Sequence, residues 1–147
     1  MNDILRQTIF ENLAGKAAAL PSVCSAHPDV LVASMLLAKS VGQPLIIEAT
    51  SNQVNQFGGY TGMRASDFVA FVHKIASEIG FDRGQIIFGG DHLGPQVWRA
   101  EDAKSAIANA ELLVEEYVRA GFTKIHRDCS EGCAGEPAQV DDSVSAR

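Results

Sequence analysis

The chain alternates short, nearly continuous apolar runs with longer stretches in which apolar residues recur every three or four positions. The runs are 20–25 (Leu-Pro-Ser-Val-Cys-Ser), 44–50 (Pro-Leu-Ile-Ile-Glu-Ala-Thr), 85–88 (Gln-Ile-Ile-Phe) and, more weakly, 123–128 (Thr-Lys-Ile-His-Arg-Asp). Runs of this length with β-branched content read as strands buried on both faces. The periodic stretches predict helices. Ile4, Leu5, Thr8, Ile9 and Leu13 fall on one face of residues 1–15, and Gly15 supplies a stop. Pro28 or Asp29 opens a second helix through Val41, closed by Gly42. Ser66 and Asp67 cap a third, with Phe68, Phe71, Val72, Ile75 and Ile79 as its stripe and Gly80 as its end. The longest runs from Arg99 to Ala120, before Gly121. Asp141-Asp142-Ser143 resembles the start of one more helix near the last residue.

A leading helix, three βα units, a fourth strand and a stub imply parallel pairing with right-handed crossovers. Two closures fit: an open doubly wound sheet, or part of a (β/α)8 barrel. No G-x-G-x-x-G follows the first strand, which weakens a dinucleotide-binding reading. Polar residues follow every strand, as in a barrel whose site is built from several βα loops. The expected fold is therefore α/β of the TIM (β/α)8-barrel type, one partial domain over residues 1–147 with about four parallel strands. A complete barrel needs about 250 residues, so this chain is expected to be the N-terminal half of one, or to pair its open edges with another chain.

Composition narrows the partners. Apolar residues make up 46% and charged residues 20%, as in soluble globular domains. A net charge of −6 argues against nucleic acid. The longest helical apolar stretch, Val30 to Ala38, is too short for a bilayer and is interrupted by Ser34. No signal-peptide pattern opens the chain, so the expected compartment is the cytosol. Three cysteines, Cys24, Cys129 and Cys133, give no disulfide framework and no C-x-x-C, and read as reduced thiols.

Candidate chemistry gathers after the strands. Ile86-Ile87-Phe88 leads into Gly89-Gly90-Asp91-His92-Leu93-Gly94-Pro95, placing an acid beside an imidazole at a strand end. Asp91 is the candidate proton-transfer carboxylate and His92 the candidate ligand of Zn2+ or another divalent metal. The competing reading makes Asp91 a turn cap and His92 an ordinary hydrogen-bonded residue. A zinc site needs about three protein ligands, and His92 is the single strong candidate, the others being expected beyond residue 147. Glu48 lies near the end of the second strand. Asn52, Gln53, Asn55 and Gln56 follow on a Gly-rich loop, where amides suit a hydroxyl-rich sugar or sugar phosphate or else satisfy the loop's own backbone. Gly58, Gly59 and Gly62 are a weak phosphate signal without P-loop spacing. His126 and Asp128, two apart on a strand, share a face. Glu48, Asn52, Gln56, His126 and Asp128 form the candidate substrate-binding set. His27 is either a site residue or a cap before Pro28, and His73 reads as a surface residue within its helix.

Four segments carry a family resemblance: Ser22–Pro28, Ile47–Met63 with its amide-rich run, Gly89–Pro95 and Ala120–His126. Together they resemble the GatZ/KbaZ family, the non-catalytic subunits of class II D-tagatose-1,6-bisphosphate aldolase. The resemblance implies a TIM barrel in galactitol, N-acetylgalactosamine or tagatose catabolism and a catalytic class II aldolase subunit as partner. This chain would then be an accessory subunit that stabilises the aldolase and is inactive alone. Wider relatives imply the alternative, a metal-dependent ketose or ketose-phosphate epimerase or aldolase with Asp91 moving the proton. Two departures from the pattern stand out. The chain stops after the fourth strand, and Arg127 replaces the apolar residue that usually follows the equivalent of His126. A third expectation, a poorly folding product with unpaired edges, follows from that stop.

Overall fold

The computed structural model describes residues 3–146. Helix α1 (Asp3–Leu13) precedes β1 (Ser22–Cys24), α2 (Pro28–Val41), β2 (Leu45–Thr50), α3 (Ala65–Glu78), β3 (Ile86–Leu93), α4 (Ala103–Ala120), β4 (Lys124–Arg127) and a last turn of helix, α5 (Asp142–Ser145). All strand pairs are parallel and the sheet order is β1-β2-β3-β4. A doubly wound sheet reverses its strand order at a switch point. Here each strand lies beside its sequence neighbour, α2 packs on α3 and α3 on α4. That is three consecutive βα units and a fourth strand of a (β/α)8 arrangement.

The helices cap as their sequences dictate. His27 Nδ1 accepts from the Asp29 N–H at 3.2 Å, so this histidine is the N-cap of α2 with Pro28 at the first turn. Gly42 (φ 65°) and Gly121 (φ 101°) close α2 and α4 in the left-handed region. The third cap differs from expectation. Arg64 is the N-cap residue of α3, Ser66 lies inside the helix, and Asp67 reaches back to accept from the Arg64 N–H at 3.0 Å. Helix α1 forms but buries none of its residues; Ile9, Phe10 and Leu13 are exposed.

The core lies between the sheet and α2–α4. Leu45, Ile47, Ala49, Ile86 and Phe88 face it from the strands, meeting Leu31, Met35, Phe68, Val72, Leu113 and Tyr117. Phe122 joins the layers, its ring 4.4 Å from Tyr117 and 5.5 Å from Phe88. Each large side chain fully buried here contributes about 1.5–3 kcal/mol. His73 is half-buried at the edge of this layer rather than fully exposed. Its ring meets the edge of Phe88 at 5.3 Å, and burial, aided by Arg83, lowers its pKa. By strand alternation Ile46, Glu48 and Thr50, with Ile87, Gly89 and Asp91, face the other way. No described helix is long and apolar enough to cross a membrane.

Candidate active site

The face of the sheet turned away from the helices carries the polar residues. Strand register places Cys24, Glu48, Gly89 and Lys124 side by side across all four strands. One step toward the strand ends lie Thr50, Asp91 and His126. The sheet thus gathers Glu48, Asp91 and His126 from β2, β3 and β4 around one ammonium, Lys124, which bonds Glu48 Oε1 and lies 3.6 Å from Asp91 Oδ1.

Strand β3 runs five residues past the expected end at Phe88, through Leu93. Its pairing with β4 shifts register between Gly90 and Leu93, and His92 has φ 49°, among the described residues the one non-glycine with positive φ. Neighbouring strand residues normally point to opposite faces. The bulge and the left-handed residue re-aim His92, so that it shares a side with Asp91. Its Nε2 lies 4.0 Å from Asp91 Oδ2, and its ring centre 4.6 Å from that of His126. A non-glycine residue held in this region costs about 1–3 kcal/mol, and such strain gathers at functional sites.

Each imidazole is oriented by a carboxylate. His126 Nδ1 is 2.9 Å from Asp91 Oδ1, and His92 Nδ1 is 2.8 Å from Asp128 Oδ2. Asp128 comes this close because Gly94 lacks a Cβ, which would sit 1.7 Å from the Asp128 carbonyl oxygen. The Ser130 hydroxyl, then His92, lower Asp128 to a pKa of about 2, and the Asp128 bond raises that of His92. For Asp91, burial is the largest single influence and opposes ionisation. The His126 bond and the nearby Lys124, His92 and His126 outweigh it and hold the carboxyl below its ordinary value. Cys24, beside Asp91 and Glu48, is pushed up to about 11 by burial first and then by those two carboxylates, so it is a protonated thiol.

Both Nδ1 atoms are thus engaged by carboxylates, and His92 Nε2 lies on the Asp91 Oδ2 side. Asp91, His92 and His126 offer three donor atoms within 4.8 Å of one another, the described cluster suited to a metal ion. Two imidazoles and a carboxylate, with His92 backed by Asp128 and His126 by Asp91 itself, fit a borderline divalent cation such as Zn2+. The sequence pointed to His92 as the single candidate ligand and to His126 as a substrate residue; the structure groups both with Asp91 as side chains that could hold one ion.

The amide loop is built differently. Asn55 is buried; its Nδ2 donates to Ser51 O, and its Oδ1 accepts from the N–H groups of Phe57 and Gly59. Gln53 Oε1 caps the end of β2 by accepting from the Thr50 N–H at 2.8 Å. Gln56, expected at the substrate, instead donates from Nε2 to Asn109 O and anchors the loop to α4. Asn52 is the exposed amide of the run. The Gly58 and Gly59 N–H groups both bond Asn55, so neither is available to a phosphate. Glu48 and Asp128 lie in the cluster, as partners of Lys124 and His92. Arg127 is exposed, with its side chain turned to solvent rather than buried in the sheet. Sequence reasoning missed Lys124 and Cys24. The signal for Lys124 was present, two residues before His126 on the same strand face.

A family model described as D-tagatose-1,6-bisphosphate aldolase subunit GatZ/KbaZ-like matches residues 5–147. The chain belongs to the GatZ/KbaZ-like family. It is 54% identical over 146 residues to a D-tagatose 6-phosphate 4-epimerase of Agrobacterium fabrum, covering 99% of this chain and 34% of that protein. It is 52% identical over 133 residues to the D-tagatose-1,6-bisphosphate aldolase subunit GatZ of Escherichia coli O139:H28, covering 90% and 32%. The crystal structure of a probable tagatose 6 phosphate kinase from Sinorhizobium meliloti 1021 superposes with a TM-score of 0.85 at 54% identity, over 86% of this chain and 33% of that one. The chain spans about a third of the length of the curated relatives it matches.

Proposed function

We propose that this chain supplies the acid–base and cation-binding groups of a site that acts on a tagatose-type ketose phosphate. The observation that carries the reading is the convergence of Asp91, His92 and His126, which offer donor atoms within 4.8 Å of one another while each imidazole Nδ1 is held by a carboxylate. In a 2-ketose the C4 hydroxyl is β to the carbonyl. Ionised Asp91 takes the proton from that hydroxyl, the C3–C4 bond breaks to leave a C4 aldehyde, and the bonding electron pair passes into the C2–C3 enediolate. Re-addition to the opposite face of the aldehyde, with the proton returned by Asp91, inverts C4. Release of the two pieces instead is aldol cleavage. One proton transfer thus serves both an epimerase and an aldolase, the two activities named among the relatives. A divalent cation held by His92 and His126 would supply electrophilic stabilisation of the carbonyl and enediolate oxygens. Asp128 fixes the His92 ring, and exposed Asn52 is positioned on the adjoining loop for a substrate hydroxyl.

The second reading is an accessory role beside a catalytic class II aldolase, favoured by the GatZ relatives that are named as subunits. One experiment separates the two. In the protein carrying this chain, Asp91→Asn should abolish turnover of tagatose 6-phosphate while leaving intact any stimulation of an added class II aldolase. Stimulation lost together with native turnover that never exceeded background would establish the accessory role alone.

A further inference from the structure

We infer that the Glu48–Lys124 ion pair is a positioning device for Asp91, laid across β3 in the space that Gly89 leaves open. The inference rests on reading Asp91 as the proton-transfer group. Glu48 on β2 and Lys124 on β4 are separated by a whole strand, yet their side chains meet. They meet over Gly89, the residue in register with both. A Cβ there would lie 2.8 Å from Glu48 Cγ and Oε1 and 3.1 Å from Lys124 Cδ. The backbone of Gly89 is ordinary strand, so room, not conformation, is what requires glycine.

Glu48 is 5% exposed, and a carboxylate so buried needs a cation. Glu48 therefore fixes Lys124, which fixes Asp91 in turn. The ammonium lies 3.6 Å from Asp91 Oδ1, the oxygen that also meets His126 Nδ1 at 2.9 Å. One carboxylate oxygen has two partners and stays put. The other, Oδ2, is turned toward His92 Nε2. The two oxygens of Asp91 thus differ in task, Oδ1 for orientation and Oδ2 for chemistry.

The test replaces the pair without changing net charge, Glu48→Gln with Lys124→Met, and reads the His126 tautomer by long-range proton–nitrogen NMR on histidine-labelled protein. The spectra are recorded at a pH of about 8.5. The native protein should show His126 with its proton on Nδ1, the tautomer that free imidazole disfavours. The double variant should lose that preference, while His92, held by Asp128, keeps its own and reports an intact fold. Lys124→Arg should retain the native tautomer. His126 unchanged in the double variant, with His92 native, would overturn the inference. Zn2+ titration adds an arm of opposite sign to a simple charge effect. Lys124→Met removes a cation, which by charge alone tightens Zn2+ binding; lost positioning weakens it about 10-fold. Tighter binding would count against the device. If the native protein binds no Zn2+, the proposed function loses its cation, and the tautomer still decides the role of the pair.

Discussion

Two regions of this molecule are equally rich in polar side chains and are put together in opposite ways. In the loop from Ser51 to Gly62 the buried amides bond backbone of their own segment or of α4, with Gln56 Oε1 left as the one buried side-chain atom without a partner among the described residues, and Gln53 and Asn55 are turn-formers. At the ends of β3 and β4 the acids and imidazoles bond one another in pairs, and each pair leaves an atom facing outward. The difference teaches that polar density does not mark a site. What marks the candidate site is acids and imidazoles from neighbouring strands that orient one another.

The largest way to break that contrast is at Asp91. Asp91→Asn should lower turnover by about 10²–10⁴-fold, the span of positioned acid–base catalysis, with thermal stability near native; a loss confined to stability would place Asp91 with the loop. The reverse experiment is Asn55→Ala. It strips the loop of its anchor to Ser51 O and leaves two N–H groups without an acceptor, so urea unfolding should show a loss of about 2–4 kcal/mol. Turnover per folded molecule should hold.

Asp128→Asn sharpens the comparison inside the cluster. As the residue that orients His92, it should weaken divalent cation binding about 10–100-fold, with little change in fold. It also has a pH signature. Folding lowers the Asp128 pKa from 3.8 to about 2, so its contribution to stability is present above 3.8 and is lost as pH falls through about 2. The variant should lack that part of the acid-unfolding profile. The smallest effect expected is that of Tyr117→Phe, whose hydroxyl donates to Val54 O at 2.9 Å and pins the loop to α4; about 1 kcal/mol of stability should go, and no activity.

Much of the frame was legible in the chain because it follows from local rules. The apolar runs placed β2 and β4, the glycines at 42 and 121 ended α2 and α4, and the order of elements implied parallel strands. The site was legible in its residue types, Glu48, Asp91, His92, His126 and Asp128, because these stand at strand ends. Its wiring was not. The bulge that turns His92 depends on pairing with β4, and the pairing of Glu48 with Lys124 depends on a register across three strands. The bond of Gln56 to α4 was not legible for a related reason. An amide on a Gly-rich loop has the same local signature whether it faces a sugar or, as here, the carbonyl of Asn109 on a distant helix. His73 looked exposed because its helix position alone does not reveal that Phe88 comes up against it.

The claim that most of this depends on is that His92 and His126 hold one cation beside Asp91. Calorimetric titration with Zn2+ tests it directly. One equivalent should bind, binding should vanish in His92→Ala, and Gln56→Ala should leave it unchanged. Absence of binding, or binding as tight in His92→Ala as in the native protein, would contradict it.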